Sequence, residues 1–278
     1  MTHAYVALLL LALTQAASPP PQVALPLRDS SVRFLVLGDT GTGDRAQYEV
    51  GALAELYRQV VRFPFAIMLG DNMYGTERPQ DYVNKFERPF AALLKANVEF
   101  HASLGNHDDP NQRFYKPFNL GGERYRTFKR NSVRFFVLDS NYMDPTQLQW
   151  LEKELAASGS DWKIAYFHHP LYTSATRGPQ VELRKVQEPL FVKYGVEVVF
   201  TGHEHLYERS KPQKGITYFV AGGSAKLRRN DLRRSDTRAV GYDDDRTFML
   251  VEIDGDQLHF QAISRTGVTI DKGTITRR

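Results

Sequence analysis

The chain has 278 residues, 42% of them apolar, which suits one large globular domain with an ample core. Its 36 Lys and Arg against 32 Asp and Glu leave a formal net charge of +4, a weak attraction for anionic ligands that gives no case for nucleic acid. With no cysteine, disulfides are excluded, and stability has to come from the core and from bound metal.

Ala4 to Leu13 is an apolar run too short to span a bilayer, and the small residues of Thr14-Gln15-Ala16-Ala17-Ser18 after it suit a signal-peptidase site. Residues 1–17 read as a signal peptide rather than a short membrane anchor, with the Met1 amine as the only positive group before the run, and 18–31 as a Pro-rich leader. An exported chain without cysteine points to the periplasm or the medium. A repeating strand-then-helix pattern follows. Val32 to Leu37 is a strand, Ala46 to Val61 a helix and Phe65 to Leu69 a strand; Asp81 to Ala96 is a helix and Val98 to Leu104 a strand. Val133 to Asp139 is a strand, Pro145-Thr146 opens the helix Gln147 to Ala157, Trp162 to Phe167 is a strand, Val181 to Tyr194 a helix and Val196 to Thr201 a strand. The tail then changes character: Thr217 to Ala221, Phe248 to Ile253, Leu258 to Ile263 and Val268 to Ile275 read as consecutive antiparallel strands, with Asp254-Gly255-Asp256 as a hairpin turn. Asp109 to Arg124 and Lys226 to Arg246 read as loops. The second carries Arg228-Arg229, Arg233-Arg234 and Asp243-Asp244-Asp245; it is read as solvated, its charges pairing or dissolving, with a charged rim that selects phosphorylated substrates as the alternative. No repeat or linker divides 32–278, which reads as a single catalytic domain.

Five short turns carry metal-type ligands, each directly after one of the apolar runs. They are Gly38-Asp39-Thr40-Gly41, Gly70-Asp71-Asn72-Met73-Tyr74, Gly105-Asn106-His107-Asp108, His168-His169-Pro170 and Gly202-His203-Glu204-His205. Singly, each is ordinary turn punctuation or a packed polar residue. In series at successive strand ends, where α/β sheets bind ligands, they assemble a two-metal site. Asp39, Asp71 and Tyr74 offer hard anionic oxygens and His205 a nitrogen, a set suited to a trivalent ion. Asn106, His168 and His203 are neutral, so a second site bridged by Asp71 suits divalent zinc, iron or manganese. Tyrosine binds as phenolate, and its usual pKa of about 10 requires a strongly polarising cation such as ferric iron.

This series resembles the calcineurin-like metallophosphoesterases and, within them, the purple acid phosphatases. Most of the superfamily has a histidine two residues after the first aspartate, where this chain has Gly41, and Tyr74 three residues after Asp71 is the purple acid phosphatase mark. The likeness extends over roughly Val32 to Ile275 and is strongest to the small tartrate-resistant type. It implies an α/β fold, a four-layer αββα sandwich of two mixed β-sheets flanked by helices. It also implies ferric iron on Asp39, Asp71, Tyr74 and His205, a divalent ion on Asp71, Asn106, His168 and His203, and His107 beside the substrate phosphate.

The function this implies is a secreted binuclear acid phosphatase. It hydrolyses phosphate monoesters of small molecules or phosphoproteins by in-line attack of metal-generated hydroxide, with His107 bonding the phosphoryl group or protonating the leaving alkoxide. The family's other site histidine, nine residues after the ligand matching His168, is Arg177 here. Arginine binds phosphate but has no proton to give, leaving His107, a water or His169 as the acid. Asp139-Ser140-Asn141 reads as a turn, His259 as a residue of a tail strand, and Glu208-Arg209 as a pair orienting His205 or a local ion pair. A monomer without stable membrane insertion after signal cleavage is expected. The alternatives are a phosphodiesterase or nucleotide pyrophosphatase on the same metals, and a non-catalytic exported phosphate- or metal-binding protein.

Overall fold

A computed structural model of the chain describes residues 21–278; the expected signal peptide and the first residues of the leader lie outside the described residues. In chain order the elements are β1 (Val32–Leu37), α1 (Arg45–Val61), β2 (Phe65–Met68), α2 (Pro79–Tyr82), α3 (Ala91–Lys95) and β3 (Glu99–Ala102). Next come β4 (Arg126–Arg130), β5 (Val133–Val137), α4 (Pro145–Ala156), β6 (Trp162–Phe167), α5 (Val181–Tyr194) and β7 (Val198–Thr201). The chain ends with β8 (Tyr207–Ser210), β9 (Thr217–Ala221), β10 (Arg238–Tyr242), β11 (Thr247–Asp254), β12 (Gln257–Ser264) and β13 (Thr269–Thr276).

Two mixed sheets result, one ordered β13-β12-β11-β1-β2-β3 and the other β10-β8-β9-β7-β6-β5-β4. The strands β1, β2 and β3 run parallel, as do β5, β6, β7 and β9. Their near-continuous apolar runs follow from burial on both faces. Phe34 and Phe65 of the first sheet meet Phe135 of the second edge-on at 5.3 and 5.5 Å between centroids, filling the gap between sheets. Outside the first sheet α1 buries Val50, Ala54 and Tyr57; outside the second, α4 and α5 bury Leu151, Leu155 and Phe191 against Phe136, Phe167 and Val199. The four-layer αββα sandwich is therefore as expected. Both α1 and α4 start where an aspartate caps a first-turn amide, Asp44 to Gln47 N at 3.0 Å and Asp144 to Gln147 N at 2.8 Å.

The expected helix Asp81 to Ala96 is broken. Its middle winds into a π-turn over Val83–Glu87, with Arg88 N donating to Val83 O at 2.9 Å, and Pro89, which has no N–H, follows at the break before α3 resumes. The strand β10 forms within the segment expected as loop, β4 and β8 form where no element is expected, and Thr217 to Ala221 does not join the tail meander: β9 lies in the other sheet, parallel to β7. The leader also has a seat. Buried Glu252 accepts from the amides of Leu27 and Arg28 at 2.7 and 2.6 Å and from Ser31 Oγ at 2.7 Å, while Gln261 accepts from Ala24 N at 2.8 Å. Among the described residues no helix is long and apolar enough to cross a membrane.

Candidate metal centre

Because the central strands of both sheets are parallel, their carboxyl ends open on one edge of the sandwich. The turns after β1, β2 and β3 face those after β6 and β7 across the gap. Hydrogen bonds cross it: His203 N donates to Asp39 Oδ2 at 2.9 Å and His168 Nδ1 to Leu69 O at 2.9 Å. The approach leaves no room for side chains in between, since a Cβ at Gly202 would stand 2.5 Å from Asp39 Oδ2. Asp39, Asp71 and His203 all hold left-handed backbone, with φ of 55°, 49° and 69°. Such conformations cost on the order of 1 kcal/mol or more each and persist where the surroundings fix them.

The side chains converge in two groups. In one, Tyr74 Oη lies 3.0 Å from Asp39 Oδ1 and 3.2 Å from His205 Nε2, with His205 Nε2 3.4 Å from the same carboxylate oxygen. In the other, Asn106 Oδ1 lies 3.0 Å from His168 Nε2 and 2.9 Å from His203 Nδ1, and those two nitrogens are 3.1 Å apart. Asp71 stands beside the second group, its Oδ1 3.3 Å from His168 Nε2, and Asp39, Asp71 and His168 offer ligand atoms that all lie within 4.8 Å of one another. The tautomer of His168 is set by its Nδ1–H bond to Leu69 O, so its Nε2 faces Asn106 Oδ1 and Asp71 Oδ1 lone pair to lone pair. That arrangement is repulsive without a cation between the atoms. Donors bound ~2.1 Å from one ion stand roughly 3.0–3.4 Å apart at octahedral to tetrahedral angles, which is the spacing seen in both groups.

The electrostatics agree. Asp39 has its proton affinity raised well above the usual carboxylate range, first by burial and then by Asp71. Tyr74 is raised by burial, then by Asp39 and Asp71. Burial drives His203 down to about 2 and His205 down to about 4, with Arg177 adding to both. Burial thus disfavours the anionic form of the acids and keeps the imidazoles neutral, and a bound cation would stabilise the deprotonated acids and take the free imidazole nitrogens.

Each residue expected at the site reaches it. His107 is exposed at the mouth, its amide donating to Asp71 Oδ1 at 3.0 Å and its ring 4.9 Å from that of Tyr74. Arg177 is exposed on the rim, with Nη1 3.3 Å from His203 O and 3.5 Å from His203 Nε2. Gly41 has its own explanation: a Cβ there would stand 2.1 Å from Asn72 O, and Gly41 O accepts from Tyr74 N at 2.9 Å. No histidine fits at that position, and the same contact delivers the tyrosine.

Several supporting residues escaped sequence reasoning. The Asp108 carboxylate is enclosed by donors from Gly105 N, Met73 N, Asn72 Nδ2 and Gln112 Nε2, which ties the second and third turns together; burial, then Asp71, lifts it to about 8. Asn141, read as a turn residue, donates Nδ2 to Gly105 O at 3.1 Å and so braces the Asn106 turn. The regular sign available was Asp108 closing the third turn, and nothing local marked Asn141. Glu208 and Arg209 do not pair with each other or orient His205. Adjacent on β8, they point to opposite faces, Glu208 to Ser174 N and Thr173 Oγ1, Arg209 to Asp271. His259 lies on β12 as expected. Beside Asn106 opens a cleft of about 450 Å³ lined by Ser140, Asn141, Tyr142, His169 and Leu183.

Residues 32–207 match the family described as calcineurin-like phosphoesterase. The human tartrate-resistant acid phosphatase type 5 is 27% identical over 326 residues, covering 98% of this chain and 96% of that protein. The Fe(3+)-Zn(2+) purple acid phosphatase 12 of Arabidopsis thaliana is 30% identical over 185 residues, 56% of this chain and 39% of that one. Among solved structures, GAP50, the anchor in the inner membrane complex of Plasmodium, superposes with a TM-score of 0.76 at 17% identity over 89% of both chains, a likeness of fold.

Proposed function

We propose that this chain, which belongs to the calcineurin-like phosphoesterase family, is an exported acid phosphatase of the purple type that cleaves phosphate monoesters. In this reading Asp39, Asp71, Tyr74 and His205 hold ferric iron, and Asp71, Asn106, His168 and His203 hold Fe2+, Zn2+ or Mn2+. The carrying observation is the pair of donor groups, each spaced at 2.9–3.4 Å next to a shared aspartate, with the His168 Nε2 lone pair facing the oxygens of Asn106 and Asp71. The relatives' names, an acid phosphatase and an Fe(3+)-Zn(2+) phosphatase, support it.

Two such cations, when bound, neutralise phosphate charge and supply an acidified water as the nucleophile. The chain's own residues do the rest. His107, at the mouth beside Asp71, hydrogen-bonds the phosphoryl group on the side away from the strands. Arg177 adds a permanent charge at the rim. The cleft beyond Asn106 takes the leaving group, with His169 and Ser140 on its wall, 2.9 Å apart. As the ester P–O bond breaks, its electron pair stays on the leaving oxygen, and the proton that oxygen needs comes from His107 or a water, since Arg177 keeps its own.

Metal analysis with a visible spectrum tests the reading. The purified protein is expected to be coloured by phenolate-to-ferric charge transfer, and Tyr74→Phe to lose the colour while keeping the fold. A colourless protein with zinc in both sites removes the purple assignment and leaves the family. Faster cleavage of bis-aryl than of aryl phosphate points to a diesterase, and no turnover at all to a binding protein. Native protein beginning near Ser18 supports export; soluble protein that keeps Met1 refutes it.

A further inference from the structure

The break between α2 and α3 has a use. In a regular helix Lys85 O would take the amide of residue 89, but Pro89 has none, and Asn84 O loses its donor because Arg88 N bonds Val83 O instead. Side chains of α1 take both carbonyls: Gln47 Nε2 donates to Lys85 O at 2.5 Å and Tyr48 Oη to Asn84 O at 3.3 Å. Gln47 also accepts from Gly43 N at 2.7 Å, and a Cβ at Gly43 would stand 3.1 Å from Lys85 Cγ, so the lysine stem lies against the first ligand turn. The π-turn is thereby pinned where Lys85 reaches the second. Its half-buried ammonium donates to Tyr74 O and Thr76 O, each at 2.7 Å, with Asp81 Oδ1 3.6 Å away. Asp81 grips the same turn, accepting from Thr76 Oγ1 and from Arg78 N, both at 2.9 Å. Lys85 is therefore charge-matched, and its N–H groups are directed at main-chain oxygens.

Tyr74 has little else to fix it. Its ring is half-buried and lies against His107, 4.9 Å between centroids, and the Lys226 ammonium at 4.5 Å, outside the apolar core. Gly75, the next residue, has φ 77°, and a Cβ there would meet no atom within 4 Å. Gly41 O holds the Tyr74 amide on one side, and on the other only Lys85 joins the carbonyls before and after Gly75. The phenol oxygen sits at the far end of a long side chain, so a small rotation of this backbone carries it away from Asp39 and His205.

We propose that Lys85 is a positioning residue for Tyr74: delivered by the π-turn, it locks the Tyr74-Gly75-Thr76 turn and so aims the phenol oxygen at the donor group it shares with Asp39 and His205. The proposal rests on the ferric reading of that group and adds to it a residue from outside the ligand turns. Lys85 acts through the Tyr74 backbone, not as an acid or a phosphate ligand.

The test uses the full-length protein with Lys85→Met, Lys85→Arg, Tyr74→Phe and the double variant of Lys85→Met with Tyr74→Phe. In metal-free protein, Lys85→Met is expected to speed hydrogen exchange of the amides of 72–76 about tenfold or more while leaving those of 105–108 within about twofold, and Lys85→Arg to recover most of the protection. In metal-loaded protein, Lys85→Met should displace the visible band and weaken iron retention against a chelator about tenfold or more, as loss of a group that orients a ligand does, while retention of the divalent ion changes less than about twofold. In the Tyr74→Phe background the same substitution should change iron retention less than about twofold, because its effect runs through the phenolate. Exchange at 72–76 that does not rise, or iron lost equally in both tyrosine backgrounds, overturns the proposal. Should Lys85→Met not fold, Lys85→Gln, which keeps a donor for one of the two carbonyls, is held to the same criteria. A colourless wild type holding zinc alone defeats the purple reading, and the exchange result then decides the Lys85 lock by itself.

Discussion

His168 and His101 are both buried between the two sheets, at 0% and 4% exposure, yet their surroundings are opposites. Around His101 both ring nitrogens meet a partner, although Arg126 Nε has none. Arg126 Nη2 donates to His101 Nδ1 at 2.7 Å, His101 Nε2–H points to Glu99 Oε2 at 3.1 Å, and Arg130 pairs with the same glutamate. The imidazole also stacks on Phe128 at 4.2 Å between centroids. That cluster joins β3 to β4, the edge strands of the two sheets, and its imidazole has protein partners on both nitrogens. Around His168 an acceptor faces acceptors: its Nε2 lone pair points at the oxygens of Asn106 and Asp71. A buried polar cluster in a folded protein is normally satisfied, so one whose acceptors face one another is suited to hold a cation.

The sharpest way to break this contrast is Asp71→Asn. The amide keeps the size of the carboxylate and tolerates the left-handed backbone at φ 49°, so the fold should survive. Metal-free protein should become more stable, because Asp71 is the second cause, after burial, of the raised proton affinity of Asp39. The loaded protein should do the reverse, losing metal and at least about a thousandfold in kcat/KM, several kcal/mol of transition-state stabilisation. Melting temperatures with and without chelator, beside metal content, check both signs. A metal-free variant no more stable than wild type would mean that the carboxylates do not repel and that the cluster is structural.

A mid-sized effect is expected at the His101 cluster. Burial first, then Arg126 and Arg130, lowers the His101 pKa to about 3. The folded chain therefore keeps this imidazole neutral, while the unfolded chain protonates it near its ordinary value of about 6.5. The unfolded state binds more protons in that interval, so stability is lost as pH falls from about 6.5 towards 3. His101→Phe keeps the stack on Phe128 but strands the Arg126 donor, at a cost of about 1–3 kcal/mol at pH 7. In exchange the slope of stability against pH should flatten below 6.5. Denaturant unfolding at pH 7 and pH 4.5 measures both, and metal content should not move. If metal binding fell with it, the two clusters would not be independent.

Much of the candidate site was legible because its turns directly follow buried strands, so that in four of the five an apolar run, a glycine and a donor fall together in sequence. What escaped were features that arise only in three dimensions. The strand β4 reads Arg-Thr-Phe-Lys-Arg and β10 Arg-Ala-Val-Gly-Tyr because both are sheet edges, where charge and glycine hide the strand pattern. The strand β8 is four residues long and polar at its centre. The placement of β9 in the second sheet depends on its pairing with β7, which local sequence does not encode. Lys85 reads as one more charge of an expected helix, and only the π-turn brings it to the Tyr74 carbonyl.

The smallest effect concerns a second arginine against an imidazole. Arg126 is half-buried and holds His101 at 2.7 Å, whereas Arg177 is exposed and stands 3.5 Å from His203 Nε2, too long for a firm hydrogen bond. One arginine is committed to the fold; the other is free to turn towards a bound phosphate. Arg177→Ala should therefore change stability by less than about 0.5 kcal/mol, as an exposed side chain without a fixed partner does. It should weaken inhibition by inorganic phosphate roughly tenfold, the worth of one charge-assisted contact. Arg177→His restores a group that carries a proton near working pH, so alkyl phosphates, whose leaving groups need one, should gain relative to aryl phosphates. Phosphate inhibition constants and the aryl-to-alkyl rate ratio for wild type and both variants decide it. If neither quantity moves in either variant, Arg177 is a surface residue, and its place beside His203 has no part in the chemistry.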